Sequence, residues 1–242
     1  MEREIAPPMP PDGGLEWAAI GRLRAAGAVA VHLSGTVYQL RGEQPAAVLV
    51  STGRAVRRLR EAREAAAKLG TQPLVFACTH AQHMGLIDEG GDLRDRRFLM
   101  GTGSNGTGIE RAGGLHAFCS GREAARRRAL DFAPYADVLC FTVPGSRAAR
   151  FDLREAAEFA AAVRAEAPGK RLGIGLAFDP LDQGEEPGRG IWGDAKRDRV
   201  LSDLGFEYRF MTMAGSVAFR KPPEARFWAF LDDAGGRAGA TA

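Results

Sequence analysis

The chain has 242 residues, 45% hydrophobic and 26% charged, enough to bury one large core in a single domain. Its formal net charge of +3 is the difference between 33 basic and 30 acidic residues, a surplus too small to imply a nucleic-acid partner. No apolar run approaches the roughly 18 residues of a membrane helix, and Met1 to Pro11 is acidic and proline-rich rather than signal-like, which predicts a cytoplasmic protein without a membrane partner.

Taken in order, residues 1–14 read as a flexible leader, Leu15 to Ala26 as a helix, and Ala28 to Leu33 as a short strand ending at Ser34-Gly35. Ala46 to Val50 is a second extended piece. Thr52 precedes a helix from Arg54 to Leu69, in which Ala55, Val56, Leu59, Ala62, Ala66 and Leu69 recur at helical spacing before Gly70 closes it. Pro73 to Ala77 is a continuous apolar run of the kind a parallel sheet buries on both faces. A long loop then extends to about Leu115, and loops of that length inside compact domains are usually functional.

Gly121 to Ala133 reads as a helix, Ala136 to Phe141 as a strand, Asp152 to Ala165 as a helix and Leu172 to Ala177 as a strand. A Gly-rich acidic loop from Gln183 to Gly193, a short helix from Lys196 to Leu204 and a last strand from Glu207 to Met213 complete the pattern, with 15–232 forming the domain and 233–242 a disordered tail. Alternating strands and helices of these lengths mean α/β with a parallel sheet. Both a (β/α) barrel and a doubly wound sheet fit, and periodicity does not choose between them.

Several local patterns invite chemistry. Cys78, Cys119 and Cys140 are odd in number and widely spaced, which fits neither a disulfide framework nor a zinc site and predicts free thiols. Cys78 and His80 share one face of a strand and so could pair as thiol and base, although a buried structural cysteine is the more frequent occurrence. His80 and His83 offer two imidazoles, but a three-residue spacing outside a helix is poor metal-ligand geometry. Gly101 to Gly106 matches G-x-G-x-x-G as a string, yet it neither follows a strand nor opens a helix, so a loop is the better reading. The arginines of the Arg54–Leu69 helix alternate with Glu61 and Glu64, as on an ordinary solvated face.

The stretch from Pro73 to Phe98 carries a more specific signal. An apolar strand ends in Ala77-Cys78-Thr79-His80-Ala81, and an acidic stretch leads into Asp92-Leu-Arg94-Asp95-Arg96-Arg-Phe98. This resembles the isocitrate lyase family, in which a strand ending Ala-Arg-Thr-Asp-Ala leads to Asp-Pro-Arg-Asp-Arg-Pro-Phe-Leu. Val48-Leu-Val-Ser-Thr52, Tyr135-Ala-Asp-Val-Leu139, the segment Ala165 to Leu172 and Phe210 to Gly215 are similar to further family stretches in the same order, over roughly residues 15 to 220.

The resemblance implies the (β/α)₈ barrel of the isocitrate lyase/phosphoenolpyruvate mutase superfamily. Only the strands ending near Leu33, Ala77, Phe141, Ala177 and Met213 have family counterparts. The expectation is therefore an incomplete barrel lacking its first strands, with an exposed sheet edge completed by homo-oligomerisation or by a partner chain.

The same resemblance implies that the family's chemistry has been replaced. Isocitrate lyases use Mg²⁺ held by acidic residues and a cysteine in a Lys-Lys-Cys-Gly-His loop. Here the acidic strand end becomes His32-Leu-Ser34-Gly-Thr36, and the cysteine loop aligns with Gln39-Leu-Arg41-Gly-Glu43. The family's Asn-Cys-Ser-Pro-Ser strand is Gly175 to Asp179, and its Glu after the Tyr-Ala-Asp strand is Thr142; Thr79 and Thr212 persist.

No Mg²⁺ or other cofactor is expected. Candidate ligand contacts, chosen by barrel-mouth position, are Ser34, Arg41, Cys78, Thr79, His80, Thr142, Asp179 and Thr212. Asp92, Arg94, Asp95 and Arg96 are expected to form structural ion pairs that anchor a loop. The expected function is that of a divergent isocitrate lyase-like protein that acts on or binds another small carboxylate metabolite. The alternative is a non-catalytic subunit completing a barrel.

Overall fold

Strand alternation sets the architecture. In the computed structural model, which describes residues 30–41, 44–68, 70, 72–88, 90, 92–101, 110–111, 114–144, 152–178 and 195–213, five strands form a parallel sheet. They are β1 (Ala30–Ser34), β4 (Leu74–Cys78), β8 (Val138–Pro144), β9 (Arg171–Phe178) and β10 (Phe206–Met213). The helices between them are α1 (Thr52–Lys68), α2 (Arg122–Phe132), α3 (Leu153–Glu166) and α4 (Ala195–Asp203). The leader, the helix Leu15 to Ala26, Asp179, the loop Gln183 to Gly193 and the tail lie outside the described residues.

The sheet order is β1-β4-β8-β9-β10, the order of the chain. A doubly wound sheet reverses its order part-way, whereas successive right-handed crossovers that never reverse leave all the helices on one face. The apolar cluster bears this out: Leu33, Val75, Ala77, Leu139, Phe141, Val143, Leu172 and Ile174 pack with residues of all four helices, including Leu59, Phe132, Phe159 and Leu201. The five strands thus form a parallel sheet in chain order with the helices on one face. Among the described residues they do not close, and β1 and β10 each pair on one side only. No described helix is long and apolar enough to cross a membrane.

The helices form where small and apolar residues recur every three or four positions. Ala55, Val56, Leu59, Ala62 and Ala66 of α1 are buried, and Ala156, Phe159, Ala160 and Val163 supply the same stripe on α3. Asp152 caps α3 by accepting from the Arg154 N–H at 2.8 Å. Each fully buried Leu, Ile or Phe in this layer contributes roughly 1.5–3 kcal/mol. On the opposite, inner face, Cys78, Val138 and Cys140 pack with Phe76 and Tyr208. Phe206 and Tyr208 are two apart yet face opposite ways, because a bulge between them shifts the register of β10 against β9.

A second sheet was not anticipated from the pattern. Its order is β2 (Thr36–Arg41), β3 (Gln44–Leu49), β5 (Leu86–Ile87), β7 (Leu115–Ala117), β6 (Glu110–Arg111). The segment read as one long loop up to Leu115 therefore holds short strands and a 3₁₀ turn over Arg96–Phe98. Strands of two or three residues are too short to leave a readable period, which is why they escaped notice. Leu49, Ala81, Ile87, Phe98, Leu99 and Phe118 form their own core, closed by Ala124 and Ala125 of α2.

The chain crosses from one sheet to the other at Gly35. Its N–H donates to the Cys78 carbonyl at 2.8 Å, and its carbonyl accepts from the Val50 N–H at 3.0 Å. A methyl group there would lie 2.7 Å from the Cys78 oxygen and 2.9 Å from the Thr79 oxygen, both main-chain atoms. Gly35→Ala should lower unfolding stability by about 1–3 kcal/mol, read as a lower urea midpoint with an unchanged slope. An unshifted midpoint would show that the crossing has slack.

Candidate functional site

The residues at the C-terminal ends of β1, β4 and β8 converge on the inner face. Ser34, Cys78 and Cys140 lie in one register across the three strands. His32 and Ser34 alternate with the helix-facing Leu33, so they share the face that carries Cys78. His32 Nε2 lies 2.9 Å from Cys78 Sγ. Burial alone would push the Cys78 thiol up; the Cys140 S–H bond and the His32 charge outweigh it and bring it down to about 5. Burial would lower His32 in turn, and the Cys78 charge raises it. Each group thus favours the charged form of the other. Cys140 stays protonated, pushed well above the usual thiol range by burial and by its neighbour Cys78.

His80 plays the opposite part. Burial first, then the charges of His83, His32 and Arg128, push it well below the ordinary histidine value, so it is neutral. Its Nε2 sits 3.1 Å from Ser34 Oγ, which is also 2.7 Å from Thr36 Oγ1. The His80 backbone is left-handed, with φ of 54°, a conformation that costs a non-glycine residue roughly 1–3 kcal/mol unless its surroundings enforce it. The surroundings here do enforce it. Thr79 Oγ1 accepts from the Ala81 N–H at 3.1 Å, the His80 carbonyl accepts from the His83 and Met84 N–H groups, and Gln82 Nε2 donates to the Thr142 carbonyl.

Strand alternation offered His80 as a partner for Cys78, with a buried structural cysteine as the more frequent case. The structure instead joins Cys78 to His32 and His80 to Ser34, because the chain leaves the strand geometry after Cys78. Thr142 is fully buried on β8, and its hydroxyl bonds to the Cys78 sulfur and helps to lower that thiol. Arg41 ends β2, in the second sheet, and Thr212 lies on β10 in register with Ala177. Asp179 lies outside the described residues. His32 was missed, although alternation about Leu33 places it beside Ser34.

The charged motif has a defined place below this mouth. Thr52 opens α1, and α1 has no acidic residue in its own first turn. A distant loop supplies the acids. Asp88 accepts from the Ser51 N–H at 2.7 Å, Asp95 from the Thr52 N–H at 2.5 Å, and Asp92 from the Gly53 N–H. Three carboxylates thus meet the positive end of the helix dipole and its free N–H groups. Asp95 also accepts from Thr52 Oγ1 at 2.6 Å and from Arg128 Nη1 at 3.0 Å, while Arg128 Nη2 donates to the Val50 carbonyl at 2.7 Å. Both charged side chains are essentially inaccessible, at 1% and 0% exposure. Arg94 pairs with Asp92, and Arg54 with Asp88. Arg96 is exposed and forms no ion pair with a described residue. Arg128 also escaped the sequence reading; its signal was an arginine inside the apolar stripe Ala124, Ala125, Ala129 and Phe132.

The chain is 34% identical over 193 residues to isocitrate lyase of Salmonella typhimurium and 33% identical over 193 residues to that of Escherichia coli K12, in each case over 78% of this chain. It belongs to the isocitrate lyase superfamily. Isocitrate lyase of Halalkalibacterium halodurans is 31% identical over 203 residues. The chain spans about 41% of the length of the first two relatives and 42% of the third. No protein-family model matches. Among solved structures, oxaloacetate acetylhydrolase in complex with 3,3-difluorooxalacetate aligns over 90% of this chain and 52% of its own, with a TM-score of 0.42 and 18% identity.

In this member of the isocitrate lyase superfamily, removing one partner of the Asp95–Arg128 pair leaves the other charge buried and uncompensated. Asp95→Ala or Arg128→Met should each cost about 3–5 kcal/mol by chemical denaturation, and the double variant should cost less than the sum. Additive losses would mean that the two residues act separately.

Asp92 gives a pH test. Burial raises its carboxyl, but Arg94 and the Gly53 N–H more than offset this and hold it below the usual range. A depressed native value means that the folded state binds the proton less readily. The stabilisation is thus present above the unfolded value of about 4 and is lost as pH falls through the lower native value. Stability should decline over that acid interval, and Asp92→Asn should flatten the decline; an identical acid profile in the variant would contradict the assignment.

Proposed function

We propose that this chain is a divergent member of the isocitrate lyase superfamily whose inner sheet face binds or transforms a small carboxylate-type metabolite other than isocitrate. The observation that carries the reading is the convergence of polar side chains, Ser34, Cys78, His80 and the fully buried Thr142, at neighbouring ends of β1, β4 and β8. Around it the described face offers the imidazolium of His32 for a negative charge, and Ser34 with neutral His80 as a hydroxyl and base.

Loss of isocitrate cleavage is part of the same proposal. The family metal, Mg²⁺, takes hard oxygen ligands, mostly carboxylates. The described donors of the inner face are imidazole, thiol and hydroxyl groups, and the neighbouring acids Asp88, Asp92 and Asp95 are committed to the start of α1. That donor set does not suit Mg²⁺, and no step runs through the metal.

A second reading rests on the two outer strands. β1 and β10 each lack a neighbour on one side among the described residues, and a buried parallel strand with a free edge is a template for pairing. On this reading the chain is a non-catalytic subunit completing its sheet with a second copy or a partner chain. A monodisperse, folded monomer in size-exclusion chromatography with light scattering would eliminate it.

For the first reading, a calorimetric screen of di- and tricarboxylates should find saturable binding. Thr142→Val and His80→Ala should each weaken that binding roughly tenfold, the scale of one hydrogen bond. Unchanged affinity in both variants would reject the site, and Mg²⁺-dependent release of glyoxylate from isocitrate would reject the loss of the ancestral reaction.

A further inference from the structure

Cys78 and Cys140 occupy facing positions on neighbouring parallel strands and point to the same face. Adjacent strands are about 4.7–4.9 Å apart, inside the 4.4–6.8 Å range of Cα separations that a disulfide spans. Both thiols are free and buried. Cys140 directs its S–H at the Val138 carbonyl at 3.9 Å and faces Cys78 in register, and His32, a side chain exposed to solvent, touches the Cys78 sulfur from β1. The Cys78 sulfur is therefore flanked by an exposed imidazole and a second thiol. The carboxylate-binding reading shares His32 with this one but uses neither thiol, so a readout at the two sulfurs distinguishes the failure of one reading from the failure of the other.

We propose that Cys78 and Cys140 are a peroxide-reactive dithiol, with Cys78 the attacking sulfur, His32 the proton donor to the leaving oxygen and Cys140 the resolving thiol. The co-reactant is a hydroperoxide. The Cys78 thiolate attacks one peroxide oxygen; the O–O bond breaks as the S–O bond forms, and His32 Nε2–H protonates the departing hydroxide to water. This leaves Cys78 as a sulfenic acid, with sulfur oxidised by two electrons and the peroxide reduced by two. Cys140, losing its proton, attacks that sulfur, and its S–S bond replaces the S–O bond with release of a second water. The product joins β4 to β8 within one sheet.

The order of the two thiols follows from their surroundings. His32 faces Cys78 from β1, Cys140 and Thr142 face it from β8, and neutral His80 follows it in the chain; Tyr208 reaches the same face against Phe76. One of these groups, the imidazole of His32, both carries a positive charge and touches a thiol. Exposed Cys119 has no such partner among the described residues and serves as an internal standard.

The test treats the full-length reduced protein with hydrogen peroxide and maps disulfides by non-reducing peptide mass spectrometry. The expected result is a Cys78–Cys140 linked peptide, with the protein lighter by two hydrogens, while Cys119 remains reduced. Cys140→Ser should stop at a dimedone-trappable sulfenic acid on Cys78, and Cys78→Ser should leave Cys140 untouched. His32→Ala should slow oxidation by roughly 100-fold near neutrality. It should also move the rate profile from one already flat above about pH 6 towards that of an ordinary thiol, near 8.5. Because buried cysteine variants can lose stability, His32→Gln and Cys78→Ala provide parallel arms, with folding verified by circular dichroism. Oxidation of Cys119 ahead of Cys78, Cys78 oxidised without the disulfide in the wild type, or a pH profile unchanged by loss of His32 would each overturn the proposal.

Discussion

The contact on which the rest of the molecule depends is the inaccessible pair of Asp95 and Arg128. One carboxylate satisfies the N–H and hydroxyl of Thr52, and the guanidinium it holds reaches the carbonyl of Val50. The end of β3, the start of α1, the charged loop and the middle of α2 are thereby tied at one point. Moving two charges out of water costs several kcal/mol for each ion, so such a pair is weak grounds for high stability. Its value here is geometric: a charge with one acceptable location fixes four segments relative to one another, including the strand that leads into the mouth of the sheet.

Much of the scaffold was readable because long elements repeat. Five strands and four helices stand close to where periodicity places them, and the shared face of Leu33, Val75, Leu139 and Ile174 follows from alternation. Strand order required coordinates, since nothing in the period distinguishes a sheet that reverses from one that does not. The short strands Leu86–Ile87 and Leu115–Ala117 were illegible for lack of length. The site was legible in membership more than in pairing. Ser34, Cys78, Thr79, His80 and Thr142 do gather, but His32 took the place beside Cys78 that alternation within one strand had offered to His80.

The two histidines show how strongly position sets protonation. Both lie near the same strand ends, His80 buried and His32 exposed. His32 meets a thiol that can become an anion and is raised; His80 meets other cations and is lowered. Residues of one type on neighbouring segments are thereby shifted in opposite directions, a separation from which acid and base roles commonly arise.

The carboxylates at the start of α1 also constrain the order in which the chain assembles. Their sequence distance from the helix is 34 to 43 residues, and Arg128 lies 76 residues beyond Thr52. During synthesis α1 leaves the ribosome before the carboxylates that meet its first turn, and the guanidinium that holds Asp95 follows only with α2. The N-terminal strands are thus held in waiting by residues not yet made, and a nascent chain halted before α2 would present a helix without its anchor.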